Sequence, residues 1–153
     1  LTRIIRSCQE LPGQELFRFL DADGVARRIA SDDVNAYLRE TTGRDITAKD
    51  FRTWAGTMLA AEHLAALGAA GSMREARRNV NRALDAVAER LGNTRAVCRK
   101  YYVHPGLVHA YLLGRTVALP SRMGPRPVRR RSGPAALRRD EVAVLQFLQD
   151  EAD

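Results

Sequence analysis

The segment from Ser72 to Gly92 restricts the fold of this chain more than any other, because it has a helix start signal, apolar residues at helical spacing and a helix stop signal. Ser72 and Glu75 form the pattern of a capping box at a helix N-terminus. Apolar residues then recur at helical spacing until Gly92, which ends helices because glycine adopts the left-handed conformation easily. They are Met73, Ala76, Val80, Ala83, Leu84, Val87 and Leu91. Such a stripe needs other helices to cover it, which predicts a helical core.

A second long helix is predicted in the segment AKDFRTWAGTMLAAEHLAALG, which precedes the first one in the chain. Thr47 and Asp50 resemble a capping box at its start. Its predicted apolar face consists of Phe51, Trp54, Ala55, Met58 and Leu59. Two long helices with apolar faces predict that packing between helices dominates the fold.

Shorter elements follow the same local rules. Ser31 is predicted to cap a helix that Gly43 ends, and Thr94 to cap a short helix that runs to Tyr102. Asp23-Gly24 indicates the turn of a hairpin in residues 15–30, although a helix competes at Leu16–Leu20. Further helices are predicted at 1–11, before Pro12-Gly13, at 107–113, before Gly114, and at 137–153, with Val142, Leu145, Phe147 and Leu148 on its apolar side.

The predicted fold class is therefore mainly α, with a small β element near the N-terminus. Residues 1–114 are predicted to form the folded domain, and residues 137–153 a C-terminal helix. Between them, residues 115–136 are rich in arginine and contain no acid, which is typical of a flexible basic linker. This stretch either follows DNA phosphates without reading sequence or is solvated and has no partner.

Arginine supplies nearly all the positive charge of the chain. The net charge is +7, and of 25 basic residues only Lys49 and Lys100 are lysines. Arginine binds phosphate with two parallel hydrogen bonds, so this composition suits an anionic polymer, but a GC-rich genome would also favour arginine. Composition alone does not separate these two explanations.

The sequence contains no pattern of a secreted, membrane or metal-binding protein. Cys8 and Cys98 form neither a metal-ligand spacing nor a disulfide framework, so we expect a reducing, cytoplasmic location. No apolar run approaches the roughly 18 residues of a membrane span, and no signal peptide is recognisable. The chain begins with leucine rather than methionine, from which we expect a segment of a longer protein.

Two stretches contain candidate functional residues. In KDFRTWAG, Arg52 lies in the first turn of a predicted helix, where an arginine and the helix N-terminus could share an anionic ligand. Pairing with Glu10, Asp45 or another acid is the structural alternative. In GNTRAVCRKYYVHPG, two adjacent tyrosines follow basic residues, and cations near a phenol stabilise the phenolate that could attack a phosphate. Otherwise one tyrosine is buried and the other lies on the surface.

Taken together, these two stretches resemble the type IB DNA topoisomerases, specifically their poxvirus and bacterial branch. KDFRTWAG is followed some forty residues later by GNTRAVCRKYYVHP, and PGQELFRFLD and DVNAYLRE also look like segments of that family. The resemblance extends from about Leu1 to Leu113. It implies the helical catalytic domain shared by these enzymes and the tyrosine recombinases. It also implies relaxation of supercoiled double-stranded DNA through a 3′-phosphotyrosine, by a monomer that needs neither metal nor ATP.

The resemblance implies roles for individual residues. Tyr102 matches the nucleophile, Arg52 an arginine that binds the nonbridging oxygens of the scissile phosphate, and Asn93 a hydrogen-bond donor to such an oxygen. Asn93 lies nine residues before Tyr102, which favours Tyr102 over Tyr101, although the family usually has a small residue at position 101. The predicted DNA-binding residues are Lys49, Arg95, Arg99 and Lys100. In a bacterium such a protein would be nucleoid-associated.

One departure from the family affects the expected activity. The family uses a further arginine and a general-acid lysine, both upstream of the matched segment, and Lys49 and Lys100 do not match those positions. We therefore expect this chain, taken alone, to cleave DNA very poorly or not at all.

Two alternatives remain open. A tyrosine recombinase would place a His-x-x-Arg pattern where this chain has KDFR, Lys49 to Arg52. The absence of histidine at Lys49 argues against it. A non-catalytic helical DNA-binding module that retains the tyrosine is the other alternative.

Overall fold

A computed structural model of the chain describes residues 2–10, 15–120 and 137–151. Most of the predicted basic linker and the predicted helix stop at Pro12-Gly13 lie outside the described residues. The rest confirms a mainly helical fold with one small sheet. Its elements are α1 (Thr2–Gln9), β1 (Arg18–Leu20), β2 (Ala26–Arg28), α2 (Ser31–Thr42), α3 (Ala48–Leu67), α4 (Met73–Leu91), α5 (Arg95–Tyr101), α6 (Pro105–Leu112) and α7 (Arg139–Asp150).

The chain divides into two compact units, Leu1–Asp50 and Phe51–Asp153. In the first, β1 and β2 form an antiparallel hairpin in which Phe19 lies opposite Arg27. Gly24 in the turn has a φ of 76°, a conformation that glycine adopts without strain. The hairpin prediction is confirmed against the competing helix at Leu16–Leu20. The predicted boundaries at residues 114 and 136 remain predictions.

The start of α2 differs from the prediction by one residue. Ser31 is the first helical residue rather than the cap. Instead, the backbone N–H of Ala30 donates to Asp33 Oδ2 over 2.7 Å. The Asp33 carboxylate, in the first turn, therefore gives a partner to a backbone N–H at the start of the helix. Gly43 ends this helix in the left-handed conformation, as predicted.

The core of the second unit surrounds α4. Val80, Leu84 and Val87 are buried as the stripe predicts, and residues of α3, α5, α6 and α7 complete the core. Met73 is the exception, because it is the first residue of α4 and remains about half exposed. Each fully buried branched aliphatic side chain stabilises the fold by about 1.5–3 kcal/mol.

The predicted caps of the second unit are confirmed. Ser72 Oγ accepts from the backbone N–H of Glu75, and Thr94 Oγ1 accepts from that of Val97. Gly92 ends α4 with a φ of 65°. Gly92 and the Thr94 cap therefore shape the α4–α5 connection, because they satisfy groups that helix ends leave without partners.

The predicted face of α3 is confirmed in part. Met58 is buried, and Trp54 and Leu59 pack against the core, whereas Phe51 is 57% exposed and Ala55 is also exposed. The buried side is made largely of small residues, because small side chains allow neighbouring backbone to approach the helix closely. It consists of Gly56, Thr57, Met58, Ala60, Ala61 and Leu64.

The C-terminal helix α7 packs on the second unit. Val144 is fully buried in the core, and Phe147 and Leu148 pack against it. Val142 and Leu145, two of the four residues predicted for the apolar side, are instead exposed. The 12-residue α7 is anchored by a narrower stripe than its sequence pattern predicts.

Candidate active site

The C-terminal end of α4 presents a main-chain oxygen that holds two of the predicted site residues. The last carbonyls of a helix have no intrahelical partner, and Gly92 turns the chain away immediately after Leu91. Leu91 O accepts one hydrogen bond from Arg52 Nη2 over 2.8 Å and another from Asn93 Nδ2 over 3.0 Å. A guanidinium from α3 and a carboxamide from the α4–α5 connection are therefore fixed at the same oxygen.

Tyr102 joins this group through Arg52. The Arg52 Cζ atom lies 5.0 Å from the centroid of the Tyr102 ring, a distance at which a cation is attracted to an aromatic face. Tyr102 is half-buried and ends α5, where its backbone N–H donates to Cys98 O over 2.9 Å. Arg52, Asn93 and Tyr102 thus belong to one contact network assembled from three parts of the chain.

Arg52 retains donors that could bind an anion. Among the described residues of the second unit, no carboxylate forms an ion pair with its guanidinium, whereas Asp45, one of the acids considered for it, lies 4.0 Å from Arg39. A guanidinium has five N–H donors, so the bond to Leu91 O leaves others for a ligand. A half-buried cation without a carboxylate partner suits a phosphate.

Cys98 lies beneath this network and is fully buried. Burial raises the pKa of the Cys98 thiol, and the positive charge of Arg52 acts in the opposite direction. The net rise keeps this sulfur neutral at ordinary pH, so it does not neutralise Arg52.

Tyr101 has a different environment from Tyr102. It is 45% exposed, and the Nζ atom of Lys100 lies 5.0 Å from its ring centroid. Arg52 lies over the ring of Tyr102, and Lys100 lies over the ring of Tyr101.

Residues of α3 that sequence patterns did not single out contact the backbone around Tyr102. A Cβ atom added to Gly56 would lie 2.3 Å from Tyr102 O, so the two backbones are in very close contact. Thr57 Oγ1 accepts from the backbone N–H of His104 over 3.0 Å, and Thr53 Oγ1 donates to Tyr101 O over 3.1 Å. A glycine inside a strongly helical segment was the signal that could have indicated this approach.

The four residues predicted to bind DNA differ in their side-chain contacts. Arg95 makes two hydrogen bonds to Asp85, of 2.6 and 2.8 Å, so a phosphate would have to compete with that carboxylate. Arg99 is exposed on α5, next to Lys100, whose Nζ atom lies over the Tyr101 ring. Lys49 is exposed in the first unit. Their role in binding DNA remains a prediction.

The candidate site does not line the neighbouring cavity of the second unit. A cavity of about 500 Å³ is bordered by α3, the end of α4 and the start of α7, with Trp54, Met58, Leu59, Leu91 and Glu141 in its wall. Of the network described above, only Leu91 belongs to that wall. Arg52, Asn93 and Tyr102 are each partly exposed.

The part of the chain that the structure describes contains neither a membrane-spanning helix nor a cluster of metal ligands. None of its helices has both the length and the apolar character needed to cross a membrane. No three side chains of histidine, cysteine, aspartate or glutamate cluster there in a way that could hold a metal ion.

Comparisons with known proteins agree with the motifs. Residues 1–111 match the family described as eukaryotic DNA topoisomerase I, catalytic core. The chain is also 29% identical over 106 residues to the DNA topoisomerase 1B of Acanthamoeba polyphaga mimivirus. That alignment covers 65% of this chain and 32% of the viral protein, so the chain spans about a third of its relative. The specific poxvirus and bacterial branch remains a prediction.

Proposed function

This chain belongs to the DNA topoisomerase I family, and we propose that it carries part of the catalytic centre of a type IB enzyme that relaxes supercoiled DNA. The observation that carries the proposal is the contact network of Arg52, Asn93 and Tyr102 at the end of α4. The network unites a phenol with two side chains whose donors suit a phosphate, in the second unit, which has a well-packed core.

In the proposed reaction, Tyr102 Oη attacks the phosphorus of a DNA phosphodiester. A bond forms between the phenol oxygen and phosphorus, and the bond from phosphorus to the 5′ oxygen breaks. The phenol loses its proton, and the 5′ oxygen leaves with the electron pair and takes up a proton. The 3′-phosphotyrosine conserves the bond energy, so the 5′ hydroxyl can reverse the step after the strand has rotated.

Arg52 and Asn93 would stabilise the charge that develops on the phosphate. As the fifth bond to phosphorus forms, the nonbridging oxygens gain negative charge, and donors already fixed in place stabilise it without reorganising. Leu91 O holds one donor of each side chain and leaves their other N–H groups available. Asn93 contributes a hydrogen bond but no charge, so its role would be limited to stabilising the phosphate.

We propose that protonation of the leaving 5′ oxygen is the weak step for this chain alone. Its two lysines, Lys49 and Lys100, do not match the position of the general acid in the family, and the Nζ atom of Lys100 lies 5.0 Å from the ring centroid of Tyr101. The resemblance places the general acid and a second arginine on a segment not matched here. Double-stranded DNA bound by a monomer remains the proposed partner and state, and a cytoplasmic, nucleoid-associated location the proposed setting.

A covalent-adduct assay tests this proposal. The purified chain is incubated with duplex DNA whose cleaved strand cannot be rejoined, in two forms: with a normal 5′ oxygen, and with sulfur in its place. A thiol has a pKa near 8.5 and leaves without a proton donor, so the sulfur substrate bypasses the missing acid. We expect an adduct that resists denaturation, formed much faster on the sulfur substrate.

Variants of the two tyrosines identify the nucleophile. Tyr102→Phe should abolish the adduct, whereas the matched control Tyr101→Phe should retain it. Loss with Tyr101→Phe alone would overturn the assignment of the nucleophile. If DNA is bound but no adduct forms even with sulfur, the chain is better described as a DNA-binding module. Strand exchange between two duplexes would instead indicate a recombinase.

A further inference from the structure

We infer that Thr53, Gly56 and Thr57 form a positioning face on α3 that sets the Tyr102 phenol against Arg52. The inference rests on the proposed function, since it concerns how the proposed nucleophile is held. These residues touch the backbone of residues 101–104 rather than a substrate, so their role would be to position Tyr102.

The three residues share one side of α3. Residues at positions i, i+3 and i+4 of a helix are neighbours on the same face. Thr53 Oγ1 donates to Tyr101 O over 3.1 Å, just before Tyr102, and Thr57 Oγ1 accepts from the N–H of His104 over 3.0 Å, just after it. The two hydroxyl groups therefore hold the main chain on both sides of Tyr102.

Gly56 lies between these two hydroxyl contacts and brings the backbones together. A Cβ atom at this position would lie 2.3 Å from the carbonyl oxygen of Tyr102 and 3.2 Å from its carbonyl carbon. Real Cβ atoms do not approach backbone so closely, so the Tyr102 segment or α3 would have to move. This explains why a residue that weakens helices occupies the interior of a 20-residue helix.

The local backbone of Tyr102 makes such external contacts necessary. Tyr102 is the C-cap of α5, with φ −125° and ψ −2°, where helical hydrogen bonds no longer determine the chain direction. Arg52 precedes Thr53 on α3, so a shift of residues 101–104 along α3 changes the position of the phenol relative to Arg52. A displacement of about 1 Å in reacting groups can reduce a rate about 100-fold.

The first test replaces Gly56 with alanine. In an ordinary helix interior this change increases stability, because alanine favours the helix more than glycine does. Here we expect Gly56→Ala to slow adduct formation on the sulfur substrate at least about tenfold, with DNA binding unchanged within about twofold. Gly71→Ala is the matched control, because its added Cβ would meet only the flexible Glu75 carboxylate, at 3.4 Å.

The second test removes a hydroxyl group without changing side-chain shape. Thr57→Val should accelerate hydrogen exchange of the His104 amide and slow adduct formation, and Thr57→Ser should restore both. Thr41→Val, at an exposed position of α2, is the control and should change neither. Rescue by serine separates positioning from general packing, because serine keeps the hydroxyl but lacks the methyl group.

The outcomes distinguish this inference from the proposed function. If the unaltered chain forms no adduct on the sulfur substrate, the proposed function fails and the positioning role fails with it. If the unaltered chain forms the adduct and Gly56→Ala and Thr57→Val form it equally fast, the positioning role alone is overturned. If Thr57→Val and Thr57→Ser slow the adduct equally, the hydroxyl contact has no part in the role.

Discussion

The two units differ in how completely they bury their apolar side chains. In the first unit, Phe19 is 44% and Tyr37 64% exposed, and the one residue buried among those described there is Arg18, paired with Glu15. The second unit buries a continuous cluster of aliphatic residues from α3, α4, α6 and α7, with Leu84 and Val87 at most 1% exposed.

This difference explains why the candidate site belongs to the second unit. Donors that stabilise a transition state must be fixed before the reaction, and a close-packed core provides that rigidity. Arg52, Asn93 and Tyr102 each come from an element that packs on the core, or from a turn between two such elements. A unit with exposed aromatic side chains offers no equivalent support.

The largest effect is expected from opening a cavity in the core of the second unit. Leu84→Ala should lower the free energy of unfolding by about 2–5 kcal/mol, because a fully buried side chain leaves a void that the core fills incompletely. Phe19→Ala in the hairpin should cost less than about 0.5 kcal/mol. Urea denaturation of both variants measures the two changes in unfolding free energy. Equal losses would show that the two units depend equally on apolar packing.

The next effect concerns the site itself. Arg52→Ala should slow adduct formation by about 100-fold or more, about 2.7 kcal/mol in the barrier, because it removes a charged phosphate donor. Arg39→Ala is the control, because Arg39 is half exposed in the first unit and paired with Asp45, and should change the rate little. A rate for Arg52→Ala within twofold of the unaltered chain would remove Arg52 from the mechanism.

A smaller loss of stability is expected when a buried chain of hydrogen bonds in the second unit is broken. Tyr111 Oη accepts from Asn79 Nδ2 over 2.9 Å and donates to Gly68 O over 2.8 Å. Tyr111→Phe leaves both groups without this partner and should cost about 1–3 kcal/mol. Tyr37→Phe, at an exposed position of the first unit, should be neutral in the same denaturation experiment.

The smallest expected effect is a pH dependence of the stability of the hairpin. The Arg27 side chain, with backbone N–H groups of Val25 and Asp23, lowers the pKa of Asp21 below its usual 3.8. A lowered folded-state pKa stabilises the hairpin above pH 3.8, and this contribution disappears as the pH falls further. Asp21→Asn should flatten the pH dependence of the hairpin NMR shifts below pH 4, and an unchanged profile would contradict this assignment.

Local signals predicted most elements correctly. The capping residues Ser72 and Thr94 and the terminating Gly43 and Gly92 act on groups within a few positions of themselves, so their effects are visible in sequence. The small residues on the buried face of α3 were not predictable in this way. Its orientation depends on which neighbour packs on it, and apolar spacing favoured Phe51 over the small residue Gly56.

The sequence by itself determined the helical class, the hairpin, most helix ends and the three residues proposed for the site. Only the tertiary structure showed that Leu91 O holds Arg52 and Asn93, that Tyr102 rather than Tyr101 lies against Arg52, and that α7 packs on the core. Caps and periodicity are interactions between near neighbours in the chain. The contacts of Arg52 with Leu91 O and with the Tyr102 ring join residues about 40 to 50 positions apart, and their geometry exists only after the helices have packed.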